Sequence, residues 1–347
     1  MLYVTTRNKT DAHTAHNTLT GDRAPDGGLF VPFQLPKLSD GDILALKDKT
    51  FGQCIADILN LFFSARLDGW DVDFSIGRYP IKLVPMSHKI VVAESWHNPD
   101  WDFARMVRNL AGRLRGSGDT EGVPSNWAWI AIRIATLFGL YGEMLRQGLT
   151  TPDKTMDICV TSGDFGAPIS AWYAKEMGLP VGTVICACNE NSGVWDLLHH
   201  GELRTDTIAV NTNTPECDVS VPVNLERLIS ARLGHDEAAR FRTCCETGRA
   251  YIPGEEEAIL LREGMYAAVV GQNRMESIIY NVYRSGTYLL GPYSALAYGG
   301  LQDYRTGVGE GRTALILTER GPICSAATVA KAMGISMQEL KERVSKR

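Results

Sequence analysis

A short glycine-rich run is the first feature of this sequence with residue types suited to binding chemistry. It consists of small and polar residues directly before a predicted helix: Ser162, Gly163, Asp164, Phe165, Gly166 and Ala167. Backbone N–H groups at the amino end of a helix favour binding of an anion, and phosphate is the expected ligand. The alternative is structural, with Ser162 or Asp164 capping the helix and the glycines serving a tight turn. Spacing alone favours the structural alternative.

The segments around this run predict a parallel crossover. Residues 156–160 form an apolar strand candidate, residues 167–177 a helix that ends before Gly178, and residues 184–188 a second strand. This strand, helix, strand order is typical of a right-handed crossover between parallel strands. Because open parallel sheets bind ligands at the carboxyl ends of their strands, we expect the glycine-rich loop to lie at a binding edge.

The remaining periodicity predicts a chain of mixed helices and strands. Two short strands around a turn are expected over 81–94, and a buried strand over 313–318. Helices are predicted over 50–66, 102–114, 127–149, 256–284 (as one or two), 293–304 and 325–347.

The composition limits the classes of partner that this protein is expected to bind. The 347 residues carry a formal net charge of -5 and no Lys/Arg-rich run, which argues against a nucleic-acid surface. A small metabolite or a protein is the expected partner, and the oligomeric state stays open. No signal peptide and no stretch of membrane-spanning length is expected, so we predict a cytoplasmic protein.

Cysteine and histidine spacing gives no sign of a metal site. The eight cysteines include no C-x-x-C pair, and His199 and His200 have no acidic or cysteine partner at ligand spacing. Reduced, structural thiols are therefore expected.

Several collinear runs resemble signatures of the threonine synthase family. They are A-P-D-G-G-L-F-V-P at 24–32, S-N-W-A at 125–128, the glycine-rich loop and helix at 162–180, A-C-N-E-N at 187–191, and the segments 214–228 and 288–295. The resemblance implies an α/β fold with an open, mostly parallel sheet wrapped by helices, the fold-type-II or tryptophan synthase β-like architecture. It also implies pyridoxal phosphate held between a large and a small domain, and a lyase that converts O-phosphohomoserine to threonine.

The resemblance also implies which residues would hold that cofactor. The phosphate would lie on the loop from Ser162 to Ala167, and Thr318 would meet the pyridine nitrogen. Asp164 and Ala167, however, stand where the family usually has asparagine. An aspartate repels a phosphate and only accepts hydrogen bonds, so we favour helix capping by Asp164 and a weakened anion preference.

The family's Schiff-base lysine has no counterpart in this sequence. Residues 94–105 match the lysine motif at Glu94, His97, Pro99 and Phe103, which places Ala104 at the lysine and Arg105 at the following aspartate. A methyl group neither holds the cofactor aldehyde nor moves protons on substrate carbons. No catalytic residue is therefore assigned.

Four other lysines are candidates to replace the missing Schiff-base lysine. Lys154 and Lys175 are expected at the end of the sheet opposite the loop. Lys82 and Lys89 flank the preceding strands and stay open, although nothing around them suggests a desolvated amine of lowered pKa.

The organisation along the chain departs from the family in one further respect. The family has a strand-and-helix unit between its lysine helix and its N-W-A run, where this chain has only residues 106–123. We predict a threonine-synthase-like segment over 1–95, a reduced remnant of the small cofactor-covering domain over 96–125, and a large α/β domain with a C-terminal helix over 126–347.

Three hypotheses for function follow from these features. The favoured one is a degenerate threonine-synthase-like protein without pyridoxal-phosphate catalysis, which binds a small anionic metabolite or a protein partner. The second is a working pyridoxal-phosphate synthase or lyase for O-phosphohomoserine or a related phosphorylated amino acid. The third is a different enzyme that uses the strand-end pocket without this cofactor.

Overall fold

The protein is built around a mostly parallel sheet. The computed structural model describes residues 1–77, 81–86, 89–95, 103–116, 125–286, 288–309 and 311–345. The strands are β1 Leu2–Thr5, β2 His13–Thr14, β3 Phe30–Pro32, β4 Lys82–Met86, β5 Ile90–Glu94, β6 Met156–Thr161, β7 Val181–Cys188, β8 Met265–Val269 and β9 Thr313–Thr318.

Helices cover both faces of this sheet and carry most of the remaining core. They are α1 Ala15–Thr20, α2 Asp40–Ala45, α3 Phe51–Phe63, α4 Gly69–Ser75, α5 Phe103–Arg115, α6 Trp127–Arg146, α7 Gly166–Glu176, α8 Gly193–His200, α9 Leu225–Leu233, α10 His235–Thr247, α11 Glu255–Arg262, α12 Gln272–Arg284, α13 Pro292–Val308, α14 Ala326–Met333 and α15 Met337–Ser345. The long, strongly periodic helices lie where the sequence predicts them, because such segments carry an unambiguous apolar face.

Strand order decides which loops meet. The described residues form a six-stranded sheet in the order β4, β5, β9, β6, β7, β8, in which only β4 runs antiparallel to its neighbour. A smaller sheet has the order β2, β1, β3. The predicted crossover from β6 through α7 to β7 is confirmed, and so is the α/β class. Since β6 and β9 are parallel neighbours, their carboxyl ends lie at the same edge of the sheet.

The helix α6 is the centre of the core. By length and composition alone, this helix could cross a membrane. The expectation that no segment reaches the length of a membrane span is therefore corrected. However, 83% of the tested window is buried inside the protein. Helices that are apolar around most of their circumference are typical of this environment. Trp127, at its start, is fully buried and meets the rings of Tyr3, Phe62 and Tyr173 edge-on.

Several parts of the secondary structure differ from the prediction. The single helix predicted over 325–347 is two helices, α14 and α15, because α14 ends at the left-handed Gly334. The segment predicted as helix over 256–284 contains the strand β8, which pairs with β7. Its five residues are too few for periodicity to separate a buried strand from a helix, and tertiary pairing decides the outcome. The strands β1 and β2 near the N-terminus were not predicted either.

The region between α5 and α6 bears on the missing family unit. Within the described ranges, no strand lies between the end of α5 and the start of α6, and residues 117–124 lie outside them. His97 and Pro99 of the lysine motif also lie outside the described residues. The three-part organisation of the chain stays a prediction.

Candidate functional site

A cavity of about 530 Å³ lies at the carboxyl edge of the sheet. Its floor is formed by the ends of β6 and β9, and its walls by α5, α6 and the segment around residues 215–219. The polar and charged side chains that line it are Arg108, Arg133, Thr161, Ser162, Asp164, Glu216, Tyr293, Glu319 and Arg320. The binding edge predicted from the crossover is therefore where the described residues leave space for a ligand.

The structure brings only part of the predicted phosphate loop to this cavity. The lining residues from the loop are Ser162, Gly163, Asp164 and Ala167. Phe165 is fully buried, and its N–H donates to the Ser162 carbonyl over 2.7 Å. Its φ of +66° lies in the left-handed region, where a residue other than glycine is uncommon. A sharp turn therefore orders the loop before any ligand arrives.

Thr318 is not among the residues that line the cavity. It is buried, and its hydroxyl donates a hydrogen bond of 2.8 Å to the carbonyl of Ala93 on β5. Its structural partner is thus the neighbouring strand. The role in cofactor binding that the resemblance implies for Thr318 stays a prediction.

Ala104 lies in the first turn of α5 and lines the cavity together with the phosphate loop. The residues that line the described cavity include no lysine. In the parts of the chain outside the described ranges, the sequence contains one lysine, Lys346 at the C-terminus. At the position where the resemblance expects a lysine, the described cavity wall therefore presents the methyl group of Ala104.

Three of the four candidate lysines lie at the end of the sheet opposite the cavity. Lys175 donates from Nζ to the carbonyl of Gly182, at the beginning of β7, over 2.7 Å. Lys89 donates to the carbonyl of Gly311, just before β9, over 3.2 Å. Lys154 precedes β6. Their amines are separated from the cavity by the length of the strands.

Lys82 is the exception, because β4 runs antiparallel. It pairs with Glu94 and so begins its strand at the carboxyl edge of the sheet. It is nevertheless exposed, and β5 and β9 lie between its strand and the phosphate loop on β6. At about 4.8 Å per strand, this places Lys82 well to the side of the cavity.

Asp164 precedes the N-cap residue Phe165, and its carboxylate accepts a hydrogen bond from the first N–H of α7, in the capping role that the sequence predicted. Its Oδ1 accepts from the Gly166 N–H over 2.9 Å, and its Oδ2 accepts from Asn224 Nδ2 over 3.0 Å. Burial raises the pKa of this carboxyl group, while Arg133 and the Gly166 amide act in the opposite direction. The capping carboxylate uses a donor that a bound phosphate would need.

Asn224 is in turn held by Arg227, which sequence reasoning did not single out. Arg227 is fully buried, donates from Nη1 to Asn224 Oδ1, and donates from Nη2 to the Ser125 carbonyl over 2.8 Å. Burial lowers the pKa of its guanidinium to about 10, so it remains cationic at neutral pH. The N-L-E-R run at 224–227 was the available signal, since a charged residue inside an apolar helix needs a buried partner.

Arg133 is a second site residue that the sequence analysis missed. Its Nε and Nη2 donate to the two carboxylate oxygens of Glu319, each over 3.0 Å. Its Nη1 is buried without a hydrogen-bond partner in the described part of the protein and lies 3.0 Å from the position that a Cβ on Gly166 would take. Only glycine leaves room for this guanidinium under the loop.

The mouth of the cavity carries the remaining charges. Arg320 and Glu216 form an ion pair across it. Arg108 is exposed and has no hydrogen bond or ion pair with any described residue. Cys217 also lines the cavity, but burial raises the pKa of its thiol to about 12, so it is no thiolate nucleophile at neutral pH.

The residues present do not fit pyridoxal phosphate held as a Schiff base. The described wall offers no amine for the aldehyde, and the first N–H of α7 is taken by the Asp164 carboxylate. His199 and His200 do not line this cavity, and their rings lie 4.9 and 4.8 Å from that of Trp195 on α8. The described residues hold no group of three His, Cys, Asp or Glu side chains suited to a metal ion.

The comparisons with known proteins agree with the fold. This chain superimposes on the threonine synthase with bound pyridoxal phosphate from Brucella melitensis with a TM-score of 0.85 at 20% identity, covering 96% of this chain and 92% of that chain. The threonine synthase from yeast gives a TM-score of 0.83 at 16% identity, covering 99% and 94%. The architecture is therefore that of the fold-type-II enzymes to which the threonine synthases belong.

Sequence comparisons find similarity to threonine synthases and threonine synthase-like proteins. The family model for the N-terminus of threonine synthase matches residues 2–76. Human Threonine synthase-like 1 is 26% identical over 202 residues, which are 57% of this chain and 26% of that protein, so the matched part spans about a quarter of that relative. Threonine synthase from Pseudomonas aeruginosa is 28% identical over 199 residues, which are 56% of this chain and 40% of that protein. The chain is therefore similar in sequence to threonine synthases over about half of its length, and its N-terminal segment matches their family model.

Proposed function

We propose that this protein binds a small anionic metabolite in the cavity at the carboxyl edge of its sheet and does not carry out pyridoxal-phosphate catalysis. The observation that carries the proposal is Ala104 in the cavity wall, at the position where the family resemblance expects a lysine. A pyridoxal enzyme needs that amine both to hold the cofactor and to transfer protons. In this reading the chain is a pseudoenzyme on a threonine synthase scaffold.

Arginine side chains favour an anion as the ligand. Arg108 on α5 lines the cavity, is exposed and has no partner among the described residues, and Arg320, which is paired with Glu216, lines the same cavity. Guanidinium groups bind carboxylates and phosphates through paired N–H donors. A ligand with one acidic group at the mouth therefore matches the free cationic donor of Arg108.

A spectrum tests the absence of cofactor chemistry. The purified protein is mixed with pyridoxal phosphate, passed through a desalting column and scanned for the near-visible band of an internal aldimine. We expect no band to remain on the protein. A stoichiometric band that survives desalting would contradict the proposal.

Thermal unfolding tests the ligand. A panel of small carboxylates and phosphorylated amino acids is screened for a rise in Tm, since a ligand at 100 times its Kd stabilises the fold by about 2.7 kcal/mol. Arg108→Ala is expected to remove the effect of a binding anion. Arg105→Ala removes the same charge from the same helix outside the cavity lining and is the matched control. If no anion shifts the Tm, a protein partner becomes the better proposal.

The alternative function is pyridoxal catalysis with a relocated lysine. The observation in its favour is that Lys82 begins its strand at the carboxyl edge of the sheet. Lys82→Ala distinguishes the two functions, because only the alternative expects this variant to lose an aldimine band that the parent protein shows.

A further inference from the structure

The amino end of α7 already holds an anion that belongs to the protein. Asp164 Oδ1 lies 2.9 Å from the Gly166 amide nitrogen, in the place where a bound phosphate oxygen would accept that hydrogen bond. We infer that Asp164 is a built-in anion that closes this loop to phosphate, so that the cavity takes ligands without a phosphate group. The inference rests on the proposed function, because it names the class of ligand for the same cavity.

A chain of buried groups fixes the carboxylate in this position. Arg227 donates to Asn224 Oδ1, Asn224 Nδ2 donates to Asp164 Oδ2 over 3.0 Å, and the Asn224 N–H donates to the Asp164 carbonyl over 3.0 Å. Both Asn224 and Arg227 are fully buried. A side chain held at two oxygens and at its own carbonyl does not swing away at low cost, because each group would lose its buried partner.

The nearby cation does not reverse this preference. Arg133 lies under the loop, but two of its donor groups are committed to Glu319. A phosphate at the loop would therefore meet the carboxylates of Asp164 and Glu319, and the guanidinium of Arg133 beside the loop has only its Nη1 left without a partner among the described residues. A phosphate monoester carries about -1.5 to -2 charges at neutral pH, roughly twice the charge of a carboxylate, so the repulsion falls mainly on phosphate.

An exchange of two neighbouring side chains tests the inference. In the double variant D164N/N224D the carboxylate moves to position 224, beside Arg227, and an amide takes its place at the loop. The net charge, the side-chain sizes and the hydrogen bond between the two positions are preserved. Only the anion at the amino end of α7 is removed, so binding of inorganic phosphate is the direct readout.

Phosphate affinity is measured by thermal unfolding against chloride at matched ionic strength, which removes general screening effects. We expect no phosphate-specific rise in Tm for the unmodified protein, and phosphate binding in D164N/N224D that is at least about tenfold tighter, which corresponds to 1.4 kcal/mol. Asp164→Gly, which also frees the Gly166 amide, serves as a second variant if the exchange does not fold.

Two results would overturn the inference: saturable phosphate binding by the unmodified protein, or folded variants that bind phosphate no better than it does. These results are separable from a failure of the proposed function. Phosphate binding without an aldimine band removes only the claim about Asp164, whereas a stable aldimine band in the unmodified protein removes the claim that it lacks pyridoxal catalysis.

Discussion

Ala104 and Asp164 line the same cavity and act on the two ends of the cofactor that the family resemblance implies. Ala104 offers no amine to the aldehyde. Asp164 places a carboxylate where the phosphate would lie, and it is held there by Asn224 and Gly166. At the residue scale, therefore, we expect that restoring the lysine alone would not restore cofactor binding.

A lysine placed at position 104 tests whether Asp164 alone prevents cofactor binding. Ala104→Lys is expected to form no stable aldimine with pyridoxal phosphate, because the loop still excludes the phosphate. The combined variant A104K/D164N/N224D is expected to retain an aldimine band after desalting. Ala104→Met, in the same double background, provides a long side chain without an amine as the control. A stable band in A104K alone would show that Asp164 does not close the loop.

The buried carboxyl group of Asp164 also predicts a pH dependence of stability. Burial raises its pKa against the pull of Arg133 and the Gly166 amide, with Glu319 adding to the rise and Arg227 opposing it. A raised folded pKa means that the stability from this group is present below the unfolded value of about 3.9 and is lost as pH rises through the folded pKa. The free energy of unfolding of the parent protein minus that of Asp164→Asn should therefore fall as pH rises from about 4.

Urea unfolding of both proteins in parallel at several pH values measures this difference. Arg133, Glu319 and Arg227 are common to both proteins, so their own titrations largely cancel. A difference that stays constant or grows with pH would contradict the assignment of a raised pKa to Asp164.

At the scale of elements, α6 positions the cavity because it packs without gaps against its neighbours. A Cβ on Gly142 would lie 2.8 Å from the backbone carbonyl oxygen of Leu46, and a Cβ on Gly139 would lie 2.8 Å from the ring of Phe51. These glycines allow α6 to approach α3 and the turn before it closely. The same helix carries Trp129 and Arg133 to the cavity wall.

A pair of glycine substitutions tests this packing. Gly142→Ala is expected to lower the free energy of unfolding by about 1 kcal/mol or more, because overpacking costs ~1–3 kcal/mol and exceeds the helix propensity gained. In Gly307→Ala on α13, nothing lies within 4 Å of the new Cβ. This control is expected to be neutral or stabilising by up to about 1 kcal/mol. Equal effects in urea unfolding would contradict the close approach at Gly142.

The sequence predicts those elements that carry their own local signals. The crossover from β6 to β7 was predictable because two apolar runs flank a helix that ends at Gly178, and Asp164 was predictable as a cap from its place before that helix. The strand β8 was not, because its short apolar run has no periodicity of its own and pairing with β7 decides its state.

The charged part of the candidate site was beyond local reasoning. Arg133 on α6 and Glu319, just after β9, are 186 residues apart in sequence, and tertiary packing brings them together. The same holds for the series of hydrogen bonds from Arg227 through Asn224 to Asp164. It joins α9 to the loop before α7, and no sequence periodicity connects these two elements.

At the scale of the whole molecule, the chain keeps the fold of the threonine synthases, while Ala104 lines its cavity at the position where the family resemblance expects a lysine. Function is decided by the site and not by the fold, so the two observations do not conflict. The buried network around Asp164 and Arg227 also has a structural role, because it joins the loop before α7 to α9 and to Ser125, just before α6.

The most direct test of this account is a search for a lysine that holds the cofactor. The protein is incubated with an equimolar amount of pyridoxal phosphate, reduced with borohydride, digested and mapped by mass spectrometry. The account predicts only low, scattered modification of exposed lysines, with no position approaching one cofactor per chain. Stoichiometric modification of one lysine, Lys82 being the first to examine, would contradict the claim that this protein has no Schiff-base residue.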